Sequence, residues 1–384
     1  MSEIRVNTLG NESNTGGPVL SGITTFSGQQ YFIPPTGTTA QRPSGCPPGS
    51  IRFNTDSAHL EYWNGLVWLE FEASSVELGD HNASAGESRA GTGVRGVITT
   101  GYNGSARSDA IEYLTISTLG NGVDFGNLTV ARSGNKGGSS RTRAIFMGGM
   151  NPSNDDVNTI DFVTIASTGN ATDFNSDLLH TQRDGVSCSN QTRALFAGGQ
   201  GNNNDVINAI NIATTGITAN DFGDLLSGLA GMAGCSNSVR GIFAGGTNPI
   251  SNVIQYVTIS TLGDGQDFGD LLSTQEAISG ASNPIRGVLA GGSTPAPSNS
   301  NVIQFISITT TGNAQDFGDL TAARQSTMAT ASPTRAIFAG GATPSGTNVI
   351  DYVEIMTMGN AVDFGDTNVV GWTGDGVSNG HGGL

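Results

Sequence analysis

Lysine is almost missing from this chain: Lys136 stands alone beside fifteen arginines, and only 12% of the 384 residues carry a charge. The 32 acidic residues outnumber the 16 basic ones, which leaves a net charge of −16 at pH 7. Binding a nucleic-acid backbone needs clustered Lys and Arg to displace counterions, so no nucleic-acid partner is expected. An anionic membrane surface is disfavoured for the same reason. No apolar run approaches the roughly 18 residues that mark a spanning helix, and the opening Met-Ser-Glu-Ile-Arg-Val-Asn lacks the apolar stretch of a signal peptide. No membrane insertion is therefore expected, and synthesis in a cytoplasm is.

Cysteine is limited to Cys46, Cys188 and Cys235, too few and too dispersed for a disulfide framework. Cys188 and Cys235 each open a Cys-Ser-Asn triplet in successive repeats, and such equivalent positions lie too far apart to bond. Buried thiols are expected there. The four histidines, His59, His81, His180 and His381, fall into no His-x-His, His-Glu-x-x-His or Cys-x-x-Cys spacing. Asp155-Asp156 and Asp264 lack the ligand spacing of a calcium loop and read as solvated turns. The double glycines are not followed by Gly-Lys-Ser/Thr, so none is a phosphate loop. No metal, cofactor or catalytic residue is assigned.

What is present is a repeat. Arg-(Gly/Ala)-(Ile/Val/Leu) recurs at Arg95, Arg143, Arg193, Arg240, Arg286 and Arg335, and Asp-Phe recurs at Asp124, Asp173, Asp221, Asp267, Asp316 and Asp363, with 46 to 50 residues between copies. A fixed period of this length marks a repeat architecture. In one unit, Arg240-Gly-Ile-Phe-Ala-Gly-Gly246 reads as a buried strand with a sharp exit, Val253–Ile259 as a second strand and Gln266–Leu271 as a third. The stretch leading to Asn237 reads as the strand before the next Arg. Four short strands per unit match a β-propeller blade, and the 57 glycines suit tight turns between such strands. The sequence predicts an all-β chain whose residues 76–384 form a six-bladed β-propeller. Either Val76-Glu-Leu-Gly-Asp80 or the segment after Asp366 is expected to complete a blade begun at the other end.

Residues needed six times serve the scaffold, whereas catalytic residues are normally unique. The six Arg and six Asp are therefore expected to tie strands or neighbouring blades together through charge-assisted hydrogen bonds. The loops after the double glycines vary between units and begin near Asn103, Asn151, Asn203, Asn248, Ser293 and Thr343. Their Asn, Ser and Thr suit adaptable hydrogen bonding to a partner, or plain solvated turns. Only Tyr102 brings an aromatic ring to such a loop.

The repeat is absent from the N-terminal part. Residues 1–50 are rich in Gly, Ser, Thr, Asn and Pro and read as an extended arm, ordered by docking. Residues 51–75 read as a small β-hairpin module: a strand at Ser50–Asn54, then Leu60–Trp63 and Leu66–Phe71 joined by an Asn64-Gly65 type I′ turn. Trp63 and Trp68 would pack on the propeller, on another copy or on a partner, and with Ile4 and Val6 they are the candidate anchoring residues.

Ala40-Gln-Arg-Pro43, Gly49-Ser-Ile-Arg-Phe-Asn-Thr-Asp56, Leu60-Glu-Tyr-Trp-Asn-Gly65 and Trp68 resemble a small module of bacteriophage tail-fibre and other virion proteins. Glu3-Ile-Arg-Val-Asn7 with Gly16-Gly-Pro18 resembles the start of such proteins in phages of marine cyanobacteria, and the repeat is similar to kelch-like repeats. Kelch repeats ordinarily carry Tyr then Trp after the double glycine; here Tyr256 is followed by Phe268 at a longer spacing, and the first unit replaces the double glycine with Thr100-Gly101. The resemblance implies a non-enzymatic virion protein, present in multiple copies, whose arm binds other virion proteins and whose kelch-like propeller recognises a host surface glycan or protein. A purely architectural head, collar or tail part is the alternative. A glycan-degrading enzyme comes third, because it would need a unique acidic pair at the propeller centre that the sequence does not mark.

Overall fold

The computed structural model describes residues 34–57, 59–70, 94–201, 204–295 and 298–384. Val76–Asp80, Ile4, Val6 and Asn203 lie outside the described residues. The chain divides into two compact units, Met1–Ser75 and Val76–Leu384. Among the described residues both are built from strands, with no α-helix.

In the first unit Thr36–Gly37 pairs in parallel with Ile51–Asn54, which pairs antiparallel with His59–Trp63 and through it with Trp68–Glu70. Residues 34–50 therefore do not stand apart as an arm. Phe53 donates its backbone N–H to Pro35, and Thr39 donates to Asp56. The sheet is fixed from inside by Glu61, fully buried, which accepts from Arg42 and from Asn54 Nδ2. Pairing with Arg42, aided by Asn54, holds its carboxyl below the usual range against the effect of burial. The hairpin loop is wider than a two-residue turn: Trp63 pairs with Trp68, and the Asn64 side chain accepts from the N–H groups of Leu66 and Val67. The side-chain cap replaces the backbone turn that Asn64-Gly65 alone suggested. Trp63 and Trp68 sit half-buried with ring centroids 5.7 Å apart, and Arg52 lies over Trp68.

The second unit holds six four-stranded antiparallel sheets. Sheet I comprises Arg95–Thr99, Ala110–Thr115 and Val123–Asn127, completed by Gly376–Ser378. Sheet II is Lys136–Ser139, Arg143–Met147, Thr159–Thr164 and Thr172–Asp177; sheet III is Val186–Ser189, Arg193–Ala197, Val206–Asn211 and Asn220–Asp224. Sheet IV is Ala233–Ser236, Arg240–Ala244, Val253–Thr258 and Gln266–Asp270; sheet V is Ser279–Ser282, Arg286–Ala290, Val302–Ser307 and Gln315–Asp319. Sheet VI is Met328–Ala331, Arg335–Ala339, Val349–Glu354 and Val362–Asp366. Strand positions within each sheet are a to d in this order, with Gly376–Ser378 as strand a of sheet I. It pairs antiparallel with Arg95–Thr99 (Val377 opposite Val97), so the C-terminal segment completes the first sheet.

The strand b run is buried on both faces, as at Ile242 and Phe243. The apolar clusters bridge consecutive sheets: Leu195 and Phe222 of sheet III meet Phe243 and Val257 of sheet IV, and Ile98 and Leu114 of sheet I meet Ile337 and Phe364 of sheet VI. The glycine after Asp-Phe has a steric cause. At Gly269 φ is +146°, and a Cβ there would stand 2.6 Å from the carbonyl oxygen of Gly312 in the next sheet. The double glycine has another: Gly198 has φ +65°, and a Cβ would stand 2.5 Å from the Leu229 carbonyl oxygen.

The six repeated arginines open strand b, and each reaches the following sheet. Nη1 of Arg95, Arg143, Arg193, Arg240, Arg286 and Arg335 donates to the carbonyls of Ile165, Ile212, Ile259, Ile308, Ile355 and Ile116, at 2.6 to 3.2 Å. The sixth bond returns from sheet VI to sheet I. Five of these guanidiniums also lie 4.3 to 4.8 Å over an aromatic ring on strand c of their own sheet, such as Tyr256 beneath Arg240. Sheet III has Ala209 opposite Leu195, where sheet IV has Tyr256 opposite Ile242, and Arg193 is left with Phe222 at 5.9 Å. Arg240→Ala removes a charge-assisted hydrogen bond and a cation–π contact, about 2–3 kcal/mol together, and is expected to lower Tm by several degrees. Arg193→Ala should cost measurably less. Equal losses in parallel thermal melts would count against the stacking contribution.

The repeated aspartates do something else. Asp124, Asp173, Asp221, Asp267, Asp316 and Asp363 are exposed, and none forms an ion pair among the described residues. Asp173 and Asp221 only accept from the N–H two residues on, at Asn175 and Gly223. The expectation that they tie sheets together fails because side chains alternate along a strand: the adjacent Phe125, Phe174, Phe222, Phe268, Phe317 and Phe364 point into the core. The intersheet contact is made by their backbone. The carbonyls of these six phenylalanines accept from Gly169, Gly216, Gly263, Gly312, Gly359 and Gly120 of the neighbouring sheet.

Candidate functional site

The connections that lead into strand a carry a second six-membered pattern. Gly134, Asp184, Gly231, Ala277, Ser326 and Thr373 all take left-handed backbone conformations, with φ between +54° and +69°. Their peptide groups form a cycle: Gly134 donates to Thr373, Thr373 to Ser326, Ser326 to Ala277, Ala277 to Gly231, Gly231 to Asp184, and Asp184 to Gly134, at 2.7 to 3.2 Å. No residue type unites the six positions, so no pattern of side chains marks them. Non-glycine residues rarely adopt this conformation, and the closed hydrogen-bond cycle is what offsets the strain. The residue before each of these is bridged to the start of a variable loop, as in Glu276 with Ser293 and Gln325 with Ala342. Cycle and loops therefore share one end of the unit.

Of the loop residues, Asn103 and Asn151 cap their own turns, accepting from Ala106 and Ser153 among others. Asn248 is exposed with φ +76°, Ser293 opens a two-stranded ribbon, and Thr343 pairs with Ser345 in another. Neighbouring loops are linked: Arg107 donates to Asn154, and Asn299 to Ala342. The aromatic content is higher than expected, because Trp372 packs edge-on against Tyr102 with ring centroids 5.1 Å apart.

Inside, strands a lie side by side, and Gly376–Ser378 lies beside both Met328–Ala331 and Lys136–Ser139. Serine hydroxyls connect them. Ser139 donates to Ser378, Ser189 to Ser139, Ser236 to Ser189, Ser282 to Ser236, and Ser378 to Ala331, whose own position breaks the series. Beyond the serines, His381 Nε2 lies 3.2 Å from the Ser139 carbonyl and 3.3 Å from Ser189 Oγ, while Gly382 donates to Ser282. Gly383 donates to Nδ1, so Nε2 carries the proton. Burial pushes the His381 pKa down to about 4.

Two cavities lie between these strands and their connections, of about 70 Å³ and 230 Å³. Lys136, the sole lysine, lines both. Residues opposite Met147, Ala197 and Thr99 on strand b are Lys136, Val186 and, through a backbone bond from Thr99, Asp375, so one register position carries a cation, an apolar group and an anion in different sheets. Asp375 accepts from Gly137 N–H and Ser187 Oγ, and Asp184 stands over Gly134. Burial raises both carboxyls, against the pull of Lys136. The larger cavity opens among the left-handed residues and also meets Glu276, Gln325 and Thr327. Sequence reasoning missed Asp184 and Asp375; their signal was that they occur once, not six times. Cys188 and Cys235 line the smaller cavity as free thiols, and burial pushes both up, Cys235 to about 12, which disfavours the thiolate.

A buried polar group on strand c completes each intersheet joint. Glu112, Asp161, Asn208, Gln255, Gln304 and Asp351 accept backbone N–H groups from the preceding connection: Asn368, Thr129, Leu179, Leu226, Leu272 and Thr321. Asp161 and Asp351 are paired with buried Arg132 and Arg324; Glu112 has no ion-pair partner among the described residues, and burial raises its pKa. A carboxyl whose folded pKa is raised holds a proton that the unfolded chain has released, so its contribution to stability falls as pH rises through that window. Glu112→Gln, the residue used in sheets IV and V, should remove this loss. Relative to the parent, its Tm should improve as pH rises from about 4 to about 7, where the raised carboxyl loses its proton. A pH-independent difference would contradict the assignment.

No protein-family model matches the chain, and no curated protein is significantly similar to it.

Proposed function

We propose that the six sheets are the blades of a closed, kelch-like β-propeller, and that the chain is a non-enzymatic virion protein of a bacteriophage. In this reading the N-terminal unit attaches it to other virion proteins, and the propeller recognises a host surface glycan or protein. The carrying observation is how the two kinds of residue are divided. The six arginines, the carbonyls of the six Asp-Phe phenylalanines and the strand c polar groups all join sheet to sheet, including the final step from sheet VI to sheet I through Arg335. What differs between repeats, namely the loops, Lys136, Asp184 and the Tyr102–Trp372 pair, gathers at one end. A scaffold that spends its symmetric residues on closure and presents its asymmetric ones together suits recognition, and multiple copies would raise weak single-site affinity by avidity. The exposed apolar residues Leu66 and Val67 of the first unit's hairpin loop suit a particle contact.

The test is adsorption competition. Labelled full-length protein is incubated with candidate host cells, which are then challenged with phage. Saturable binding that blocks adsorption is the expected result. Absence of binding, even after antibody clustering, would leave a purely architectural head, collar or tail part. Release of reducing sugar ends from host envelope would instead make the protein a glycan-degrading enzyme, with Asp184 and Asp375 as its first candidates.

A further inference from the structure

We propose that the 230 Å³ cavity is the subsite for one neutral sugar ring, the terminal residue of a glycan. This rests on the recognition reading above and names its ligand class. The volume is below the roughly 300–1,000 Å³ of drug-sized pockets, which suits a single ring. Thr327 is 5% exposed and lines the cavity, and its Oγ1 has no hydrogen-bond partner. A buried hydroxyl left without a partner costs about 1–3 kcal/mol; Oγ1 itself is enclosed, and a change of rotamer that exchanges it with the methyl would turn it to a ligand hydroxyl in the cavity.

The surrounding chemistry narrows the ligand. The six left-handed residues bond to one another through their peptide groups, so recognition falls to side chains. Lys136 offers only donors, Asp184 and Glu276 offer acceptors when ionised, and Gln325 offers both. A sugar hydroxyl both donates and accepts, and can bridge such a mixed set. Ile278 adds an apolar patch for the C–H face of the ring. Asp184, already 3.5 Å from Arg183, and Glu276 leave Lys136 no surplus of positive charge, which opposes phosphates and acidic sugars.

The probes are the methyl pyranosides of glucose, galactose and mannose, with glucuronate and N-acetylneuraminate as acidic counterparts, titrated into the full chain and followed by saturation-transfer NMR. At least one neutral pyranoside should saturate, and the acidic sugars should bind more weakly. Thr327→Val, which keeps the shape and removes the hydroxyl, should weaken binding about tenfold, the loss of one hydrogen bond. Its Tm should be unchanged or higher, since an unsatisfied buried group has gone. Lys136→Met should also weaken binding. No saturation by any neutral pyranoside, or unchanged affinity in both variants, overturns the subsite. The same variants on host cells separate the two readings. If Thr327→Val and Lys136→Met bind cells as the parent does, recognition stands and the subsite falls. If the parent does not bind cells, the recognition reading falls, whatever the sugars do.

Discussion

Arg324→Gln should destabilise the protein by about 3–5 kcal/mol, the usual cost of stripping one partner from a buried ion pair, and Asp351→Asn added to it should restore most of the loss. Arg324 and Asp351 are both fully buried, with Nη2 and Oδ2 2.9 Å apart. Asp351 also accepts from Thr321 N–H and Oγ1, and Arg324 donates to the Val349 and Phe338 carbonyls. Burial lowers the Arg324 pKa while Asp351 raises it, so the charges are tolerated only as a pair. Losing the guanidinium leaves a carboxylate with no counter-charge in a dry joint. The repair follows from sheet III, where Gln182 and Asn208 hold the positions of Arg324 and Asp351, and Asn208 accepts from Leu179 N–H at 2.9 Å as Asp351 does from Thr321. Sheet V solves the same joint with amides, Gln304 Nε2 donating to Gln275 Oε1 at 2.7 Å. Urea melts of the parent, the two single variants and the double variant give the coupling energy directly. A double variant no more stable than Arg324→Gln would mean that the cost lies in lost packing of the arginine and not in the stranded charge.

Period, strand number and the joining function of the six arginines were legible because they depend on side chains that recur. The aspartates were misread because recurrence does not say which way a side chain points; the phenylalanine beside each one takes the core, which turns the carboxylate outward. The left-handed cycle was invisible for the opposite reason. Its requirement falls on the backbone, so glycine, alanine, serine, threonine and aspartate can all meet it.

The candidate site was legible only in part. Lys136 was conspicuous as the sole lysine, yet nothing in sequence placed it beside Asp184 and Asp375, which lie 48 and 239 residues away. A repeat brings distant residues together at matching register, and a reading that looks for what is shared overlooks the copies that differ. Trp372 escaped notice in the same way. It follows the last full repeat in sequence but packs on Tyr102 of the first sheet. Where residues 1–50 dock was not legible, because proline-rich chain can still pair at a strand edge, as Thr36–Gly37 does with Phe53 and Asn54.

Deleting Gly376–Leu384 is expected to have the largest effect, a Tm loss of more than about 10 °C or failure to accumulate as soluble protein. Those residues supply strand a of sheet I, and Val377 is part of the core between sheets I and II. They also give Ser139 and Thr330 their hydroxyl acceptors, at Ser378 and Val377, and seat His381 against the serine series. Without them Arg95–Thr99 becomes an exposed edge with unpaired peptide groups, which invites pairing with other chains. The cause can be separated from mere shortening by moving the break. A permuted chain that begins at Thr367, joins Leu384 to Val94 by a linker and ends at Asp366, set against the same deletion made in residues 94–384, keeps His381 and makes sheet I continuous, as the other five sheets already are. The geometry permits it, since Asn379 already exchanges hydrogen bonds with Arg95: its N–H donates to the Arg95 carbonyl and its side chain accepts from Arg95 N–H. This chain should melt cooperatively and far above the deletion, because the join between sheets VI and I then rests on their noncovalent contacts, including Arg335 to Ile116 and Gly120 to Phe364. If the deletion melts like the parent, strand a of sheet I contributes nothing to holding the unit together. If the deletion fails and the permuted chain fails with it, the covalent link between sheets VI and I, and not the pairing of the last strand, is the element that matters.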